Sequence, residues 1–114
     1  MPTAITEAER RALKRLAHPL EVVVRTGNAG LTEAVIAEAD KALKHHELMK
    51  LRVLAGKRGD RDSMIEKLCE TLGAALVQRV GHVATIYRPR SRDSRILPLL
   101  KNQRLRTRRR KGAK

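Results

Sequence analysis

Two glycines three positions apart, Gly27 and Gly30, carry the most suggestive spacing in the chain. Before them, Val22, Val23 and Val24 are stiff at χ1 and suit an extended strand, and Pro19 disfavours a helix running in from upstream. After them, helical spacing starts at once with Val35, Ile36, Ala39 and Leu43. Thr32 can cap the first turn, and Leu31 and Ile36 have the spacing of a hydrophobic staple. The pattern predicts strand, G-x-x-G loop, helix. A helix start gathers backbone N–H groups with no partner in the helix, its dipole favours negative charge, and glycine lets a ligand approach the backbone closely. Phosphate is the chemistry that fits. The loop is not a Walker A, because no Gly-Lys-Ser/Thr follows, and it lacks the third glycine of a dinucleotide fingerprint.

Other reactive side chains do not assemble into a recognisable site. His45 and His46 are adjacent, which sends their side chains in diverging directions, and no Cys or carboxylate pattern completes a metal site around them. Asp60 and Asp62 fit a solvated loop and a helix cap better than a divalent ion. Cys69 lies on an apolar helical stripe and reads as a packed thiol. No Ser, His and Asp spacing suggests a nucleophile elbow. The expectation is a protein with no catalytic residues, no metal, no cofactor and no small-molecule substrate. Tyr87 is the sole aromatic residue and reads as a strand residue half packed against a sheet. Recognition by stacking bases on aromatic platforms is therefore largely closed to this chain, and binding should rest on phosphates, 2′-hydroxyls and shape.

Charge names the partner class. Among 114 residues, 26 are Lys or Arg and 12 are Asp or Glu, a net +14, which attracts polyanions. Residues 88–114 hold 12 of those bases and one acid, Asp93, so most of the excess lies in the last quarter of the chain. Hydrophobic residues at 41% still allow one packed domain. No apolar run reaches the length of a membrane span, the first residues look unlike a secretory signal, and one cysteine allows no internal disulfide. These features lead to the expectation of a cytoplasmic protein without a membrane partner.

The elements that position the loop follow in order. Thr6 with Glu9 forms a capping box for a first helix reaching about His18. Its apolar stripe is Ala12, Leu13 and Leu16, while Arg11, Lys14, Arg15 and His18 share another face. A strand at 20–25 leads to the glycine loop and a helix at about 33–45. Met49, Leu51, Val53 and Ala55 then alternate as a half-buried strand. Asp60 or Ser63 caps a third helix, with Met64, Ile65, Leu68, Cys69 and Leu72 buried and Gly73 ending it. Runs at 74–80 and 83–88 around Gly81-His82 read as a hairpin with a type II′ turn. The expected fold is α/β, ordered α-β-α-β-α-β-β, with a four-stranded mixed sheet. Both crossover helices lie on one face, and the other face has no evident helical cover. Residues 1–90 form the domain. Residues 91–114, with Arg108-Arg109-Arg110-Lys111, read as a flexible basic arm that Ile96, Leu97, Leu99 and Leu100 can pin to the domain or to a partner.

The G-x-x-G matches the loop with which KH-like modules clamp a nucleic-acid backbone. Ala17-His18-Pro19-Leu20, the glycine loop with Leu31-Thr32, His46-Glu47-Leu48-Met49-Lys50, and Gly81 before Tyr87-Arg88-Pro89 together resemble the CRM domain, named for chloroplast RNA splicing and ribosome maturation. The likeness covers about residues 6–90 and is nearest to the small stand-alone bacterial members called YhbY-like. It implies a fold similar to the C-terminal domain of translation initiation factor three, and RNA binding through the loop and nearby bases. It also implies association with ribosomal RNA or precursors of the large ribosomal subunit. The expected RNA-binding residues are Gly27, Asn28, Ala29, Gly30, Arg25, Arg11, Lys14, Arg15, His18, Lys50, Arg88 and Arg108 to Lys111. The chain departs from the family in two places: in the loop, Asn28 and Ala29 stand where a Lys is frequent, and in the hairpin His82 stands where a Lys is common. Charge alone equally allows a basic DNA-binding protein of nucleoid type, or a module whose tail docks on an acidic protein.

Overall fold

A computed structural model describes residues 4–26, 30–54, 58–90, 94–96 and 98–100. The order is α1 (Glu7–Ala17), β1 (Val22–Arg25), α2 (Glu33–His46), β2 (Leu48–Arg52), α3 (Arg58–Leu72), β3 (Ala75–Val80) and β4 (Val83–Tyr87). The strands form one mixed sheet in the spatial order β1-β2-β4-β3, with β1 and β2 parallel and the other two pairings antiparallel. This is the α-β-α-β-α-β-β arrangement expected.

Local chemistry accounts for most boundaries. The Thr6–Glu9 capping box is complete, and the Thr32 hydroxyl accepts from the Val35 amide at 3.1 Å. Gly73 has φ +67 just past α3, as a C-terminal cap requires. Gly81 has φ +60 and His82 does not share it, the signature of a II′ turn. The start of α3 differs from expectation. The helix begins at Arg58, ahead of both Asp60 and Ser63, so those residues lie within it and neither is its cap.

On one sheet face, α2 and α3 enclose a core of Val24, Leu43, Met49, Leu51, Ile65, Leu68 and Ile86. Cys69 belongs to this core, and burial pushes its thiol up to about 11. The opposite face, expected to lack a helical cover, has one. Here α1 lays Ala12, Leu13 and Ala17 on Leu48, Val77 and Tyr87, and Leu100 closes the cluster. Arg10 donates to the Leu76 and Val77 carbonyls where β3 is bulged, tying α1 to that edge strand. Tyr87, expected to be half packed, is 2% exposed, and burial raises its hydroxyl to about 12. It cannot stack on a base from there.

Leu100 is placed by Glu47. This residue ends α2 with φ 65, the one positive φ outside glycine among the described residues, and its carboxylate is 1% exposed. It accepts hydrogen bonds from the Arg90 amide at 3.2 Å, the Arg95 amide at 2.8 Å and the Ser94 hydroxyl, with the Arg90 guanidinium 3.6 Å away. Burial alone would raise this carboxyl, but the hydrogen bonds and the Arg90 charge together hold it below its ordinary 4.5. A depressed folded-state pKa gives stability that is complete above the unfolded value and lost as pH falls through the folded one. Glu47→Gln, which cannot accept all these donors, should cost about 2 to 3 kcal/mol at pH 7. The gap from wild type should narrow steadily below about pH 4.3. Denaturant unfolding of both proteins at pH 7 and pH 3 checks this, and a gap unchanged at pH 3 would count against the ionised clamp.

Candidate functional site

The face carrying α1 is graded in three rows, set by strand register. Leu48, Tyr87 and Ala75 pair across β2, β4 and β3 and are buried, with Leu48 and Tyr87 sealed under α1. The next row is Val22, Lys50, Thr85 and Gln78. The last is Arg25, Arg52, Val83 and Val80. Paired residues on neighbouring strands point to the same side, so along β2 burial at Leu48 gives way to charge at Lys50 and Arg52, while β4 and β3 run from Tyr87 and Ala75 through buried Thr85 and through Gln78 to Val83 and Val80. That direction leads to the carboxyl ends of β1 and β2, where the glycine loop leaves the sheet two residues after Arg25.

Thr26 fixes this exit. It is 1% exposed, its amide donates to the Arg52 carbonyl at 2.9 Å, and its hydroxyl accepts from the Leu54 amide at 2.9 Å. The loop therefore starts from a rigid point. Gly27, Asn28 and Ala29 lie outside the described residues. Gly30, at the far end of the loop, has φ +75, and its carbonyl accepts from Thr32, the cap of α2.

The remaining expected residues fall into three groups. Arg25 is exposed in the charged row, and Lys50 reaches from the middle row to donate to the His18 carbonyl at 3.3 Å. The second group is on α1, where Arg11, Lys14, Arg15 and His18 are all exposed. They do not share a layer with Gly30, since α1 covers one sheet face while a side chain at Gly30 would meet Met64 of α3 on the other. The sheet end bearing Arg25 and Lys50 is what joins them. Arg88 makes up the third group, and its guanidinium is engaged within the protein. Its guanidinium donates to the Asp40 carboxylate at 2.9 Å and to the Leu72 carbonyl at 2.8 Å, so it ties α2 to the end of α3. The same hydrogen bond keeps the Asp40 carboxyl below its ordinary range. Arg108, Arg109, Arg110, Lys111 and Leu97 are outside the described residues.

Sequence reasoning missed Arg52, which completes the charged row, and Thr26 and Glu47, which look unremarkable until their partners are known. Arg52 could have been found from the alternation Lys50, Arg52 on the polar side of β2. The His45 and His46 rings do not diverge as expected: they meet edge to face with centroids 4.7 Å apart. No group of three metal-ligating side chains occurs among the described residues, and no described helix is long and apolar enough to cross a membrane.

Comparison with known proteins puts this geometry in a family. The CRS1/YhbY (CRM) domain model matches residues 5–88. A Haemophilus influenzae protein named as an RNA-binding protein is 41% identical over 87 residues, 76% of this chain and 88% of that one. A Pseudomonas aeruginosa protein named "probable RNA-binding protein" is 34% identical over 94 residues, 82% and 90% of the two chains. The solution structure of a Staphylococcus aureus protein suggested to bind RNA superposes with a TM-score of 0.71 at 31% identity, over 80% of this chain and 95% of that one.

Gly30 offers a test of the loop's backbone. An added Cβ would meet Met64 Cε at 3.5 Å, an ordinary contact, so space is not the obstacle. Its φ of +75 is. Gly30→Ala should lower stability by about 1 to 2 kcal/mol, measured by chemical unfolding, and a neutral result would mean that the loop relaxes to another conformation.

Proposed function

Because the chain belongs to the CRS1/YhbY (CRM) domain family, we propose that it binds RNA without catalysing a reaction on it, with ribosomal RNA or a precursor of the large ribosomal subunit as its target. The observation that carries this reading is the charged row at the end of the sheet. Arg25 and Arg52 are paired in register beside the exit to the glycine loop, both exposed and neither in an ion pair among the described residues. Exposed cations held on a rigid sheet suit a phosphate backbone, where position matters more than base identity. Names of the relatives in Haemophilus influenzae and Pseudomonas aeruginosa point the same way.

In this reading Gly27 to Gly30 approach phosphate through main-chain N–H groups, with Arg25 and Lys50 beside them. Arg11, Lys14, Arg15 and His18 extend the contact along α1. The tail, including Arg108 to Lys111, adds charge that follows the RNA. With eight basic residues and no acid in 101–114, the tail should dominate salt dependence. Each phosphate contact contributes about 0.7 to 0.9 to the slope of log K against log salt.

Two measurements test the proposal. Removing residues 101–114 should flatten the salt slope by several units while the amide spectrum of the domain stays unchanged. An identical slope would take the tail out of the interface. For the loop, Gly30→Asp should bind RNA more weakly than Gly30→Ala, and Asn28→Lys should bind more tightly than wild type, all compared where every variant is folded. Equal affinities across these proteins would exclude the loop as the clamp. Crosslinking in cells followed by sequencing should recover large-subunit ribosomal RNA. Competition by duplex DNA as effective as by structured ribosomal RNA, at physiological salt, would favour the nucleoid reading.

A further inference from the structure

Beyond α1 the sheet face is not flat. A groove of about 560 Å³ crosses it, with Val22, Lys50, Thr85 and Gln78 from the middle row and Arg25, Val83 and Val80 from the outer one. Its lining is mixed in a way that phosphate binding alone does not explain. Val80 is 65% exposed, an apolar side chain held open to solvent on the edge strand β3. The Gln78 amide carries both donors and an acceptor and makes no side-chain hydrogen bond among the described residues.

We propose that this groove holds one unpaired RNA nucleotide, its base against Val80 and Val83 with its edge toward Gln78, and its phosphate toward Arg25 and Lys50. The inference rests on the RNA-binding reading and adds to it a preference for single-stranded over duplex RNA. A duplex keeps its base faces stacked inside and its major-groove edges beyond reach, so it offers nothing to the apolar and amide part of the lining. An unpaired nucleotide offers an apolar face, a hydrogen-bonding edge and a phosphate together, which is the combination this surface presents. The β-branched carbons of Val80 and Val83 supply the flat apolar contact that an aromatic ring supplies elsewhere.

The test compares the full chain with Gln78→Ala/Val80→Ser, both neutral changes away from the loop and from α1. Against a short unpaired RNA strand the double variant should lose about tenfold in affinity. Against a perfect RNA duplex of the same phosphate count it should stay within about twofold of wild type, since no phosphate contact is removed. In wild type, nucleoside monophosphates should shift the amide resonances of Gln78, Val80, Val83 and Thr85, a readout that needs no variant to fold. Equal losses for strand and duplex, or monophosphate shifts confined to other surfaces, would overturn the groove while leaving RNA binding intact. If the wild type bound neither RNA at physiological salt, the RNA-binding reading itself would fall.

Discussion

Glu47 sits where α2 must pass the chain to the adjacent strand β2 within a single residue, and the backbone there takes a positive φ that an L side chain adopts at a cost. Glycine would relieve the strain, yet it would leave the Arg90 and Arg95 amides and the Ser94 hydroxyl without their acceptor. The carboxylate decides the matter. It converts a strained corner into the attachment point for the segment that follows β4, and the main chain reinforces it, with the Glu47 carbonyl accepting from the Arg88 amide at 2.8 Å. From there the chain returns over the sheet, and Leu100 fills the cluster around Leu13 and Tyr87. Burying an ion this deeply is tolerable because its donors are fixed by the same fold that it fixes.

That clamp also shapes the sheet face on which α1 lies. The α1 layer is short, eleven residues, and packs on Leu48, Tyr87 and bulged Val77. Leu100 completes the seal at this end, so the uncovered part of the sheet lies toward the glycine loop. The bulge in β3 lets Val77 turn under α1 while Gln78 still pairs with Thr85 in the open row. One sheet face is thus divided into a closed half that stabilises the protein and an open half that carries Lys50, Arg25 and Arg52.

Much of this was legible in the sequence where the determinants are local. The Thr6–Glu9 box, the Thr32 cap and Gly81-His82 each act within a few residues, and their residue types name the geometry. The helix α3 was placed too late because Asp60 and Ser63 both look like caps, and sequence alone does not say that neither serves. Partners far along the chain were harder. Nothing near Glu47 announces Ser94, and nothing near Arg88 announces Asp40, forty-eight positions away. The cover over the second sheet face was missed for the same reason, since it joins α1 to Leu100 across nearly the whole sequence. The strand order places β4 between β2 and β3, and hydrophobic periodicity does not encode which strand lies beside which.

Net charge needs the same separation between what the fold uses and what it displays. Arg10, Arg79 and Arg88 count toward the formal +14, but each is bound to protein oxygen: Arg10 to β3 carbonyls, Arg79 to Asp62 at 2.8 Å, Arg88 to Asp40. Such cations orient elements and contribute little to a field at the surface, because their partners neutralise or screen them. Arg11, Lys14, Arg15, Arg25 and Arg52 are exposed and have no such partner among the described residues, and they all belong to α1 or to the open end of the sheet beneath it. Lys41 and Lys67 are exposed on α2 and α3 as well, so a polyanion meets cations on both sides of the sheet, five of them on α1 or at the open sheet end. Gln78 and Val80 beside that charge add an amide and an apolar side chain to the surface that a ligand would meet there.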